Sequence, residues 1–120
     1  ISFGFKHGVP LESDLVFDVR FMENPFYRPE LREHSGQTEA VREFVLGQPI
    51  TERFLAHLDD FFATVIPAYL AEGKTRLTIG VGCTGGFHRS VAIGDALAEQ
   101  LEALHMGPVN VWHRELERRR

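Results

Sequence analysis

Apolar positions recur along this chain in two rhythms, and each rhythm predicts an element. Short apolar runs read as strands. Residues 2–6 (Ser2-Phe3-Gly4-Phe5-Lys6) form the first, closed by the turn signal Gly8-Val9-Pro10. Residues 14–20 form the second, with Leu15, Val16, Phe17 and Val19 apolar enough to lie inside a sheet. Leu77-Thr78-Ile79-Gly80-Val81-Gly82 is the third, with large residues on one face and small ones on the other. The small face lets a helix or a ligand approach the sheet closely. Val109-Asn110-Val111-Trp112 is the last strand.

The helical rhythm is clearest after Thr51, an N-cap candidate with Ile50 and Leu55 spaced as a hydrophobic staple. Phe54, Leu58, Phe61, Phe62, Val65 and Tyr69 make one stripe; Pro67 should kink or restart the helix, and Gly73 ends it. A shorter helix is expected over 38–47, with Val41, Phe44 and Val45 on one face, and a long one over 88–106 with Ile93, Leu97, Leu101 and Leu104. Between Glu23 and Gly36, Asn24, Pro25 and Pro29 predict an ordered irregular loop, of a length that is usually functional. The order is α/β with at least one parallel βαβ crossover. The expected architecture is a single domain over residues 1–120, a small mixed, mostly parallel sheet with flanking helices.

Composition narrows this picture without changing it. With 120 residues, 43% of them hydrophobic and 25% charged, the chain suits one packed domain and excludes collagen-like, low-complexity and disordered readings. No apolar run approaches the roughly 20 residues that span a bilayer, so no membrane partner is anticipated. Ile1 opens directly into strand-like residues, without an initiator methionine or a basic-then-apolar leader, as in a domain excised from a larger protein. Cys83 is the single cysteine, which suits a reducing, cytoplasmic compartment. The net charge of −4 argues against a strongly basic nucleic-acid module, yet the charge is uneven. Residues 1–73 hold six bases against twelve acids, and residues 74–120 hold seven against five. Eleven of the thirteen bases are arginine, the better fork for phosphate oxygens.

The basic half holds the most informative stretch, Gly82-Cys83-Thr84-Gly85-Gly86-Phe87-His88-Arg89-Ser90. A glycine-rich turn from strand to helix gathers backbone N–H groups at the positive end of the helix dipole. Arg89 adds a bidentate clamp, and Thr84 and Ser90 add hydroxyls, so the stretch attracts an anion, foremost a phosphate. The plainer alternative is a tight turn that needs Gly for its backbone angles, with Arg89 solvated. As a string, Cys83 and Arg89 with Ser90 also match the Cys-x5-Arg-Ser signature of cysteine phosphatases, whose thiolate attacks phosphorus. Gly82 stands where those enzymes place His, and the general acid would have to be Asp14 or Asp18. The residues alone favour a phosphate binder over a phosphatase.

Other residues carry weaker signals. Asp18 and Arg20 share a strand face at the strand end, where open α/β sheets bind ligands, or else form a structural ion pair. His88 either donates to a phosphate or caps the helix. His7, His34, His57 and His105 lack metal-ligand spacing, and no metal is expected. Trp112 and Tyr27 are packing or base-stacking candidates. Arg118, Arg119 and Arg120 are either a nucleic-acid contact or a solvated tail.

Several segments together resemble, in order and spacing, the C-terminal domain of the RNase adapter protein RapZ family, also called the YvcJ nucleotide-binding family. They are Gly4-Phe5-Lys6-His7-Gly8, Phe17-Asp18-Val19-Arg20-Phe21 with Asn24-Pro25, Pro29-Glu30-Leu31-Arg32, Leu77 through Gly86, His88-Arg89-Ser90-Val91-Ala92-Ile93 and His113-Arg114-Glu115-Leu116. The resemblance covers nearly the whole chain. It implies a non-catalytic sensor and adapter that binds glucosamine-6-phosphate and small regulatory RNA, presents RNA to a ribonuclease, and self-associates. It also implies a fold similar to the sugar-phosphate-binding part of phosphofructokinase. Carried over by position, the ligand loop is Cys83, Thr84, Gly85, Gly86, His88, Arg89 and Ser90, with Asp18 across from it. The RNA-binding end is Arg118, Arg119 and Arg120. Full-length members carry an N-terminal P-loop domain; no Gly-x4-Gly-Lys-Ser/Thr occurs here, so ATP or GTP would belong to that other domain. Two departures stand out. Enteric members place His near Phe26, and the extra lysine before their last strand falls in the Gly107 region, which has no base.

Overall fold

The computed structural model describes residues 1–119. Three strands, β1 (Ser2–Gly4), β2 (Leu15–Asp18) and β3 (Ile79–Cys83), form a sheet in the order β1-β3-β2. Both pairings are parallel, so the sheet is not mixed. Parallel neighbours need crossovers, and the helices α1 (Glu39–Leu46) and α2 (Pro49–Glu72) supply the one between β2 and β3. Helix α3 (Arg89–Glu102) leaves β3, and a short helix, α4 (Arg114–Arg118), closes the described chain. The register sets Gly4 opposite Cys83 and Asp18 opposite Gly82, so all three strands end together.

The core is built where the sequence pattern places it. Phe3, Val19, Val41, Val45, Val91, Ala92 and Ile93 are wholly buried. The Phe17 ring meets Phe54, Phe61 and Phe62 edge-on at 6.0–6.3 Å between centroids, which fastens α2 to the sheet. The small face of β3 receives aromatic rings. A Cβ on Gly82 would stand 2.5 Å from Phe5 and 2.6 Å from Phe3.

Several boundaries differ from the expected ones, each for a local reason. The first strand stops at Gly4, because Phe5–His7 winds into a 3₁₀ turn in which the Lys6 N–H donates to Thr84 O. The second stops at Asp18, whose Oδ1 captures the Arg20 N–H. Helix α2 starts at Pro49, whose fixed φ suits a first helical position, and not after Thr51. Thr51 is buried within the first turn, and half-exposed Ile50 makes no staple. The helix also runs unbroken through Pro67: the carbonyl that the ring leaves without a partner belongs to Ala63, which is exposed to solvent. Helix α3 ends at Glu102, short of 106, and His105 beyond it takes a left-handed φ of 54°. Residues 109–112 are no strand. One bridge, Ser2 with His113, and one bond from the Ser2 N–H to Trp112 O are all that joins them to β1. A three-residue edge strand offers little more to pair with.

Helix α2 also corrects the view that nothing here could cross a bilayer. By length and composition it is apolar enough. Its stripe nonetheless buries Leu58 and Phe62 against the domain, and exposed Asp59 and Asp60 sit mid-helix.

Candidate functional site

Where β3 ends, Cys83 leads through Thr84-Gly85-Gly86-Phe87-His88 into α3. The turn lies backbone to backbone on the end of β1. A Cβ on Gly4 would stand 2.5 Å from Gly85 C, and one on Gly86 would meet Gly4 N at 2.6 Å and Glu115 Cγ at 2.5 Å. Gly86 also needs its φ of 77°, in the left-handed region that glycine enters freely. From the other side, the Gly36 N–H donates to Phe87 O, and a Cβ on Gly36 would collide with His88 O. The loop is therefore clamped, and only a sequence poor in side chains fits the clamp. At the start of α3, His88 occupies the capping position without capping through its side chain, which leaves the first amides as donors at the dipole's positive end.

Arg89 is not solvated; only 4% of it is exposed. Its Nη1 donates to the carbonyls of Arg20 at 2.8 Å and Met22 at 3.0 Å, tying the segment after β2 to the loop. Its Nη2 reaches Thr84 Oγ1 only at 3.4 Å, and its Nε is buried without a partner. The Nε–Nη2 edge, which suits a bidentate oxyanion, is thus the edge that no carbonyl occupies.

The other expected residues fall around this point. Asp18 lies beside the loop and holds Arg20 in a bidentate pair, with Nε–Oδ1 at 2.9 Å and Nη2–Oδ2 at 2.7 Å. The Arg20 guanidinium lies 3.9 Å over the Phe5 ring. That hydrogen-bonded partner, helped by the charge of Arg89, holds the Asp18 carboxyl below its usual range. The structural ion pair is therefore real, and it stands at the rim of the loop. Cys83 is 3% exposed and its thiol donates to Ser90 Oγ at 3.1 Å. His88 bonds through Nε2 to Arg32 O, so its ring holds the 31–36 stretch in place. Burial lowers its pKa, and the charges of Arg119 and Arg89 lower it further.

At the chain's basic end, Arg118 pairs with Glu115 at 3.3 Å, and the Arg119 guanidinium lies 3.8 Å over the Phe87 ring. Arg120 lies outside the described residues.

Sequence reasoning missed three supports. Glu115 is buried; it accepts the Gly4 N–H at 2.8 Å and pairs with Arg114, whose Nη2 also donates to Gly8 O at 2.6 Å. Burial pushes the Glu115 carboxyl up, but the Gly4 amide and Arg114 outweigh it and hold the carboxyl low. Lys6 extends past Gly85, its Cε 3.9 Å from where a Cβ would stand. Its position at the carboxyl end of β1 was the available signal. The third is His113, buried between Ser2 Oγ at 2.6 Å and Asp95 Oδ1 at 2.9 Å, which anchors the start of α4 to β1 and α3. No spacing rule joins residues so far apart.

Residues 1–117 match the family described as the RapZ C-terminal domain. The chain belongs to that family. Relatives named nucleotide-binding protein include one from Trichlorobacter lovleyi, 54% identical over 98% of this chain and 41% of its own length. One from Anaeromyxobacter sp. strain K is 52% identical over 98% of this chain and 40% of its own. One from Clostridium botulinum is 49% identical over 97% and 39%. This RapZ C-terminal domain thus spans about two-fifths of the length of those relatives. Its fold is α/β, as the sequence pattern required. At Phe26 the ring is half-exposed, and Arg32 stacks over it at 4.9 Å.

Proposed function

We propose that this RapZ C-terminal domain is a non-catalytic sensor that takes a phosphorylated ligand, foremost an amino-sugar phosphate such as glucosamine-6-phosphate, in the 83–90 loop. The observation that carries this reading is the buried Arg89 whose Nε has no partner, beside a clamped glycine turn at a helix N-terminus. Phosphate oxygens complete that guanidinium edge and the first amides of α3. Asp18, exposed Thr84 and Lys6 then face the organic part. Titration calorimetry with glucosamine-6-phosphate, glucose-6-phosphate and inorganic phosphate tests it: binding of the phosphates, with the amino sugar tightest, is expected. A folded protein that binds none of them sinks the reading.

The adapter half of the proposal is RNA, delivered to a ribonuclease in the cytoplasm by a self-associating protein, with nucleotide bound by the rest of the longer chain. It rests on the family and on Arg118–Arg120. Two of these are engaged within the fold, and the net charge is −4, so the affinity comes from an oligomer that gathers several basic ends. Replacing the three arginines by Ala should weaken stem-loop RNA binding across sequences and flatten its salt slope by about two units. Equal binding by the variant removes the tail from the proposal.

One observation favours a second reading. The Cys83 thiol and the Ser90 hydroxyl are hydrogen-bond partners at 3.1 Å, so the hydroxyl could turn to donate to a Cys83 thiolate. Burial of the thiol speaks against it. Phosphate release from p-nitrophenyl phosphate that is lost in Cys83→Ser would establish it; no release above that variant is expected.

A further inference from the structure

We infer that Arg119 is a positioning residue of the phosphate loop, a second cation held on Phe87, rather than part of a free basic tail. The inference rests on the phosphate reading of that loop. Helix α4 is placed by buried groups: His113 between Ser2 and Asp95, Arg114 on the carbonyls of His7 and Gly8, and Glu115 on the Gly4 amide. Glu115 also fills the space beneath Gly86. The helix and the turn are consequently one packed unit, and Arg119, at the end of α4, is delivered to the loop at a fixed place. Its guanidinium carbon lies 3.8 Å from the centre of the Phe87 ring, the distance of a cation–π contact.

The surrounding charges make this cation count. Asp18 is already matched by Arg20, and Glu115 by Arg114 and Arg118. Arg89, Arg119 and Lys6 bring positive charge to the same turn, where burial and both arginines lower the His88 pKa. An anion on the loop amides relieves that imbalance, and α4 supplies a share of the attraction without needing to touch the ligand.

The test is calorimetric binding of inorganic phosphate to the protein and to Arg119→Gln, Arg119→Lys, Phe87→Leu and, as a control of equal charge change, exposed Arg53→Gln. Arg119→Gln should weaken phosphate by about three- to tenfold at low salt, and the loss should shrink as salt rises, since screening removes a field effect. Arg119→Lys and Phe87→Leu should fall between the two, because each keeps a charge near the loop but loses the stacked geometry. Arg53→Gln should stay within about twofold. A merely structural role for Arg119 would show as a lower thermal midpoint with no salt-dependent difference in affinity, and that result overturns the inference. So does equal affinity in Arg119→Gln and wild type. Absence of phosphate binding by wild type overturns the loop reading first and this inference with it.

Discussion

The two ends of the sheet are built on opposite plans. At the carboxyl ends of the strands, the 83–90 loop is clamped closely by its neighbours. Glycines at 4, 36 and 86 let three backbones touch, and the buried polar groups of Arg89, Ser90, His88 and Glu115 are nearly all committed to named partners. At the other end a trough of about 800 Å³ runs between α2, α3 and residues 106–112. Leu70, Met106, Val111 and Trp112 line it and stay more than 40% exposed, and none of the candidate site residues reaches it. Volume and chemistry are separated. What marks the functional end is a polar group buried with one valence open, at the strand ends where parallel sheets bind ligands.

Breaking that open valence gives the largest effect. Arg89→Ala removes the bidentate edge, worth about 3 kcal/mol of phospho-ligand binding or about a hundredfold, and Arg89→Lys should not restore it, because a point charge lacks the fork. The same substitution strands the carbonyls of Arg20 and Met22, so folding stability should fall by about 2–4 kcal/mol. Calorimetry and urea denaturation measure the two separately. A folded Arg89→Ala domain with wild-type affinity would dissolve the contrast between the ends.

The glycines sharpen it. Gly86→Ala should cost about 2–4 kcal/mol, the sum of a left-handed backbone and a collision with Glu115 and Gly4. Gly8 has a similar φ of 91° but open space around it, so Gly8→Ala should cost only about 1 kcal/mol. Equal losses in urea titrations would mean that backbone strain alone, and not the close clamp, made these positions glycine.

Much of this end was legible in advance, and the part that was not shares one cause. Cys83 through Ser90 lie within eight consecutive positions, so the strand–turn–helix could be read from local spacing. The α2 and α3 stripes were equally local, and they placed Leu58, Phe62, Ile93 and Leu97 in the core correctly. Arg89's carbonyl partners, the Glu115–Gly4 bond and the Arg119–Phe87 stack join residues 32 to 111 positions apart. Such contacts come from tertiary packing, which no periodicity encodes. The 109–112 run failed for the same reason: its pattern is strand-like, but only the brief edge of β1 was available to pair with it.

Next in size is a pH effect confined to the loop end. Burial and two arginines lower the His88 pKa below its ordinary value of 6.5. The unfolded chain therefore takes up a proton at His88 before the folded one does. Stability from this group is complete above about pH 6.5 and is lost as pH falls from there through the lowered folded value. Denaturation series from pH 7.5 to 5 should show a slope of at most about 1.4 kcal/mol per pH unit for this one proton. His88→Gln should flatten the slope in that window. The lowered carboxylates Asp18 and Glu115 act only at more acid pH, near their own range, and the difference between His88→Gln and wild type isolates the ring from other groups such as the Ile1 ammonium, which burial lowers from 8.0. An unchanged slope in His88→Gln would show that the ring titrates freely and that the clamp on the 31–36 stretch is loose.

The smallest effect is expected in the trough, and it tests the contrast from its other side. Leu70 and Trp112 are 48% and 46% exposed, so each already forgoes much of the burial that makes an apolar side chain stabilising. Leu70→Ser and Trp112→Ser should each shift stability by no more than about 0.5–1 kcal/mol, the range of surface substitutions, and leave phosphate affinity within error. Both residues lie on the wall of a trough that none of the loop residues lines. Urea midpoints and the same calorimetric titration would show this. A loss of phosphate binding in either variant, with the fold intact, would mean that the two ends of the sheet are coupled. The trough would then be part of the site rather than its opposite.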